Sequence, residues 1–282
     1  MKFPISYDPE KLALGDAPKF VSATDGDTPT IQLPIRMLGV DAPELHYAGA
    51  TQINPGKFDK DLEKFLTGKG KQLDAGLRAY LKPRLKAKPS TRHIVAGKAA
   101  HDHFQSIVAA RLDRGKNKIT GKPLVPRHLF TMISEQVFDK YGRLLAYVAP
   151  SYTKDERDKI PESKRPTFNL QMVQEGHAIS LLIFPNVPKA ADLARIRDAV
   201  KSARQHKRGF WKDKTPLLHA YEYRWIVDTL SGKRNGPDRY CGDFVTGKLY
   251  KPQQYYLVPE ENRLWFYDTD IGEALQMGFA LV

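Results

Sequence analysis

The sequence predicts an α+β protein: a small, turn-rich sheet overlaid by amphipathic helices, with a further α+β segment at the end. Three observations point there. Residues 20–44 and 129–148 contain short strand-like runs cut by Pro and Gly, whereas residues 99–112 and 190–207 carry apolar residues at helical spacing. With 282 residues, 41% of them hydrophobic, the chain can fill one large or two modest domains.

The elements follow in order. Residues 1–17 are a polar, Pro-containing lead-in, and Phe20 to Thr24 read as a first strand. Asp25-Gly26-Asp27 is a turn signal, because Asp tolerates tight turns and Gly supplies positive φ. Thr28 to Leu38 read as a strand pair kinked at Pro29 and Pro34. Alternation sends Arg36 to the face opposite Ile35 and Met37. Pro43 ends the run by fixing its own φ and pushing Ala42 toward an extended conformation.

Residues 47–98 read as an inserted helical pair followed by a basic linker. Phe58, Leu62, Phe65 and Leu66 share one helical face, as do Leu73, Leu77, Tyr80 and Leu81. Lys82 to Lys88 is basic and punctuated by Pro83 and Pro89. Ala99 to Leu112 reads as a helix with Ala100, Phe104, Ile107 and Val108 inward. His101 and His103 are two apart, so a helix points them in different directions. Leu129 to Phe138 and Leu144 to Val148 read as strands joined by a turn at Gly142. Asn169 to Glu175 is a short helix ended by Gly176, and Ala190 to Lys207 is a longer one with Leu193, Ile196, Val200 and Ala203 inward. In residues 213–282 the aromatics Tyr221, Tyr223, Trp225, Tyr255, Tyr256, Trp265 and Phe266 are expected in a core rather than on bases.

Three blocks carry a specific likeness. Asp25-Gly26-Asp27-Thr28 is followed by a strand with Arg36-Met37-Leu38-Gly39-Val40 and then Asp41-Ala42-Pro43-Glu44. Phe138 to Arg143, FDKYGR, runs into LLAYV, and NLQMVQEG (169–176) leads to a helix closing on Gly209-Phe210-Trp211. In this order the blocks resemble the signature of the staphylococcal nuclease (thermonuclease-like) family. The resemblance spans residues 18–212, interrupted by the insertion at about 47–98, with 213–282 as an extension packed on it. It implies a five-stranded OB-fold barrel with packed helices, a shape suited to nucleic acid.

The resemblance also implies a metal-dependent, sequence-nonspecific nuclease that hydrolyses DNA or RNA and leaves 3′-phosphates. Water attacking phosphorus builds charge on the non-bridging oxygens, so the chemistry needs cations, fixed donors and an acceptor that orients water. Arg36 and Arg143 match the family's paired arginines, whose planar forks suit phosphate. Glu44 matches its water-activating carboxylate. Asp27, Asp41 and the Ala42 carbonyl are the candidate ligands of a hard cation, and oxygen-only ligation fits Ca2+ better than zinc. Lys140 and Tyr141 match positions that hold the neighbouring phosphate. Where the family places two nucleotide-packing tyrosines, this chain has Leu182 and Phe184.

Charge agrees with a polyanion partner: net +13 with a pI near 9.6. The first 49 residues are acidic in balance and residues 50–130 strongly basic. The single cysteine, Cys241, excludes an internal disulfide, and no Cys/His spacing suits zinc. DGDTPTIQLPIR is not an EF-hand loop, since it lacks the sixth-position Gly and ends in Arg. Residues 1–8 lack an apolar secretion signal and no run is long enough to span a bilayer, so the expectation is a cytoplasmic protein with no membrane partner. Two other functions compete with cleavage. One is an OB-fold module that holds nucleic acid without cutting it. The other is a protein that docks a partner through the insertion or the C-terminal extension, from which either could be deleted without loss of cleavage.

Overall fold

The computed structural model describes residues 19–139 and 141–282. The lead-in and the phosphate contact expected of Lys140 lie outside the described residues. In chain order the first elements are β1 (Lys19–Ala23), β2 (Pro29–Gln32), β3 (Ile35–Met37), β4 (Gly39–Asp41), α1 (Asp59–Lys64), α2 (Ala75–Leu81) and α3 (Pro89–Leu112). Then come β5 (Leu129–Phe138), β6 (Leu144–Pro150), α4 (Lys154–Lys159), α5 (Phe168–Gln174), β7 (Ile179–Ile183) and α6 (Ala190–Gln205). The last stretch adds α7 (Ala220–Leu230), β8 (Tyr240–Asp243), β9 (Lys248–Tyr250), β10 (Arg263–Phe266), α8 (Ile271–Gln276) and β11 (Ala280–Leu281).

The central feature is one extended run that serves two sheets. β3 pairs parallel with β6, which pairs antiparallel with β5. After Leu38 the same run continues as β4, antiparallel to β7 in a six-stranded sheet of order β11-β9-β8-β10-β7-β4. Gly39 makes the bend with φ +71°, and a side chain there would sit 3.2 Å from the Tyr147 hydroxyl. Buried Asn169 staples the bend. Its Nδ2 donates to the Leu38 and Ala146 carbonyls, and its Oδ1 accepts from Val148 N–H.

The closed five-stranded barrel expected from the sequence is not what the described strands form. They make three open sheets. The far edge of β7, which closure would have to leave for a partner strand of the same barrel, is taken by β10 in parallel register, Leu264 beside Leu182. The hairpin β1–β2 is a two-stranded sheet of its own. Its Phe20, Val21 and Ile31 are exposed, as are Leu129, Phe130 and Ile133 on β5.

Two cores hold the molecule. In the first, α3, α5 and α6 pack on β4, β6 and β7 through Ile107, Phe168, Met172, Val173, Leu182 and Val200. The second joins the insertion to the C-terminal segment. Leu62, Phe65, Leu77 and Leu81 meet Tyr221, Tyr223, Trp225, Tyr255 and Trp265 across the back of β7. The two predicted helical faces of the insertion are thus its buried faces, and the C-terminal aromatics are core. Lys82 to Lys88 is more than a linker: Leu85 is buried, and the Arg84 guanidinium lies over the Tyr80 ring and pairs with Glu260. α3 begins at Pro89, ten residues before the predicted Ala99, with proline in its first turn and Asp59 accepting from Thr91 N–H and Oγ1. Among the described residues no helix is long and apolar enough to cross a membrane.

Candidate active site

β4 ends on Asp41, whose side chain is fully buried at the bottom of the site. Burial alone would drive this carboxyl up, but the Arg224 and Arg36 guanidiniums beside it hold it below the usual carboxylate range. Arg36 comes from β3 across the bend, and its Nη2 donates to Asp41 Oδ1 at 2.9 Å. Arg224 comes from α7. It grips Asp41 with both ends of its fork, Nη1 to Oδ1 at 3.1 Å and Nη2 to Oδ2 at 2.8 Å, and its Nη1 also donates to Glu44 Oε1. Burial would lower the Arg224 pKa, yet Asp41 and Glu44 raise it, so both partners stay charged. Arg36, Glu44 and Arg224 reach solvent, with 34, 25 and 24% of their side chains exposed, while Asp41 beneath them has none.

α3 fixes Glu44. His93 is fully buried, its Nε2 accepting from Glu44 N–H at 2.9 Å and its Nδ1 facing the Leu218 carbonyl at 3.2 Å. That pair of partners selects the tautomer with the proton on Nδ1. Its ring stacks on Tyr223 at 4.0 Å, and burial pushes its pKa down to about 3, so it stays neutral. One helical turn on, Gly97 lies against the other end of the same residue: a methyl group there would fall 2.1 Å from the Glu44 carbonyl oxygen.

The remaining sequence-predicted residues are distributed more widely. Arg143 immediately precedes β6, the strand beside β3, in which Leu145 pairs with Arg36. Its guanidinium is turned onto its own loop, Nε to Asp139 Oδ2 at 2.7 Å, and lies over the Tyr141 ring. Asp139 accepts from the Tyr141 and Arg143 N–H groups as well, so the FDKYGR turn is tied at its centre. Tyr141 is exposed. Ala42 is partly buried against the first core, and Asp27 stands on the exposed β1–β2 turn, accepting from Thr28 Oγ1. Phe184 stacks on Phe266 at 5.7 Å, which commits its ring to the protein, and Leu182 is buried. As the two-residue spacing predicts, the paired histidines diverge: His101 meets Asp102, while His103 meets Glu175 and stacks on His177.

The Ca2+ that the resemblance implies does not fit the donors present. Such an ion takes six to eight oxygens at 2.3–2.6 Å. Both Asp41 oxygens are already bonded to guanidinium groups and one Glu44 oxygen accepts from Arg224. Asp27 belongs to a hairpin that is hydrogen-bonded to neither of the other sheets. Among the described residues no three His, Cys, Asp or Glu side chains converge as a metal site.

Sequence reasoning missed three residues of the site: His93, Gly97 and Arg224. Arg224 had a visible signal. It is the lone cation in the apolar helical run AYEYRWIV, and a charge so placed needs a buried carboxylate partner. Residues 97–213 match the family model described as staphylococcal nuclease homologue. The matched segment holds the last two thirds of α3 with all of β5, β6, α4, α5, β7 and α6, hence Gly97 and Arg143, but neither the β3–β4 run nor α7. No curated protein matches the chain. Across residues 97–213, the chain therefore carries a staphylococcal nuclease-like segment.

Proposed function

We propose that the protein is a nuclease-type hydrolase that meets the phosphodiester backbone of DNA or RNA at the Arg36–Asp41–Glu44–Arg224 cluster. The observation that carries this reading is the solvent-reaching arginine and glutamate layer set over a buried aspartate. Arg36 offers donors to non-bridging oxygens, on which charge builds as water attacks phosphorus. Glu44, held by His93 and Gly97, supplies the carboxylate that orients the water and takes its proton. Arg143 joins from the neighbouring strand by exchanging Asp139 for phosphate. The net charge of +13 supports long-range attraction of the polyanion. The family habit is Ca2+ dependence and 3′-phosphate products.

A second reading, nucleic-acid holding without cleavage, is favoured by one feature: Glu44 and Arg143 are both paired within the protein.

One assay separates the two. Purified protein is incubated with single-stranded DNA and with RNA, with Ca2+ and with chelator, and products are followed on a gel. Arg36→Ala and Arg143→Ala, which each remove a positioned donor whose loss typically costs about 10²–10³ in rate, and Glu44→Ala, which removes the acceptor that orients the water, each lower the cleavage rate at least ~tenfold. Three variants that all cut like wild type would remove the site from consideration. Binding without cleavage would establish the second reading.

A further inference from the structure

Arg224 stands between the two carboxylates of the site and touches both. Its helix neighbours Glu222, Tyr223, Trp225, Ile226 and Val227 are buried, which fixes the backbone that carries it. Three hydrogen bonds, two to Asp41 and one to Glu44, hold the guanidinium itself in the site.

Its hydrogen-bond inventory shows what it can still do. A guanidinium has five N–H donors. Arg224 spends both on Nη1, one to Asp41 and one to Glu44, and one on Nη2. Among the described residues Nε–H and the second Nη2–H of Arg224 have no partner; they lie on the same edge and form a fork spaced for two oxygens of one phosphate. Among the described residues Arg36 bonds through Nη2 alone, to Asp41 and the Val40 carbonyl, and keeps its Nε and Nη1 donors. Asp41, beneath both, locks the two forks side by side.

We propose that Arg224 is the resident cation of this site. Its guanidinium takes the place a divalent metal would fill between Asp41 and Glu44, and its open Nε/Nη2 edge, with Arg36, clamps the non-bridging oxygens of a phosphodiester without metal. The clamp rests on the reading of this cluster as the place where a phosphodiester is met. A metal ion arriving here meets carboxylates that are already neutralised and must displace a covalently attached cation.

The test is the affinity of the full chain for a short fluorescent single-stranded oligonucleotide, read by anisotropy in EDTA and in Ca2+, alongside calorimetric titration of the protein with Ca2+ alone. The expected results are equal affinity in both buffers and no saturable Ca2+ heat. Arg224→Lys keeps one positive charge for Asp41 but loses the fork, and should weaken the oligonucleotide about tenfold, the scale of one charge-assisted hydrogen bond, with thermal stability recorded in parallel. Binding that vanishes in EDTA and returns with Ca2+, or Ca2+ heat abolished by Asp41→Asn, would overturn the clamp while leaving the nuclease-type reading intact. So would a stable Arg224→Lys protein that binds like wild type. Absence of oligonucleotide binding in every buffer would instead bring down the reading beneath it, and the clamp with it. The wild-type arms need no variant to fold.

Discussion

Glu44 is held by its backbone from two points of one helix. His93 takes its N–H and Gly97 leaves room for its carbonyl. Gly97→Ala forces a methyl into that carbonyl, at a cost of about 1–3 kcal/mol for overpacking, and pushes Glu44 off Arg224. The expected outcome is a larger fall in kcat than in oligonucleotide affinity, measured by single-turnover kinetics and anisotropy; equal losses would point to general unfolding instead. His93 gives a pH-dependent counterpart. Its ordinary pKa of 6.5 falls to about 3 in the folded protein, so the unfolded chain binds the extra proton between those values. Stability therefore drops as pH falls below 6.5. Gln at 93 can accept from Glu44 N–H and donate to the Leu218 carbonyl without titrating. Urea midpoints for His93→Gln should change less with pH between 7 and 4.5 than those of wild type.

At the scale of elements, the legible part was the run from Asp25 to Glu44, because turn chemistry, strand alternation and proline placement all act locally. Arg36, Asp41 and Glu44 fall together because a single bend separates them. The start of α3 was misplaced since Pro89 reads equally well as a breaker and as a first-turn proline, and only the Asp59 cap, thirty residues upstream, decides between them. Arg224 stood out as a lone cation in an apolar run, but the identity of its partner was out of reach for a related reason: Asp41 lies 183 positions away, and no periodicity reports a contact of that span. A second long-range constellation joins the segment after α2, α6, the start of α7 and the turn Glu260–Asn262. Arg204 donates to both Glu260 and Glu261, and Arg84 and His219 approach the same Glu260 carboxyl. Burial pushes Glu260 up, but His219, Arg263 and Arg84 hold it far below its ordinary 4.5. Its stabilisation is complete above that value and is lost as pH falls beneath it. Glu260→Gln leaves Arg84 and Arg204 short of a counter-charge and should cost about 3 kcal/mol by urea denaturation at pH 7, a cost that shrinks progressively as the pH falls below 4.5.

For the whole molecule, the insertion and the C-terminal segment act as one body, because each buries its apolar face on the other. A chain ended after residue 212 loses α7 and β8 to β11, leaving Leu62, Phe65, Leu77 and Leu81 without cover. It should aggregate or melt without a cooperative transition, by circular dichroism and size exclusion. A soluble, cooperatively folding fragment that still cuts would favour an independent nuclease core with a detachable docking extension.

The position of β10 has a last consequence. It enters the six-stranded sheet between β8 and β7, and α7 delivers Arg224 to Asp41 from the same late stretch of chain. During translation, Asp41 and Glu44 leave the ribosome well before the residue that neutralises them. Until α7 has been made and folded, 183 and 180 positions further along the chain, the two carboxylates are without this counter-charge.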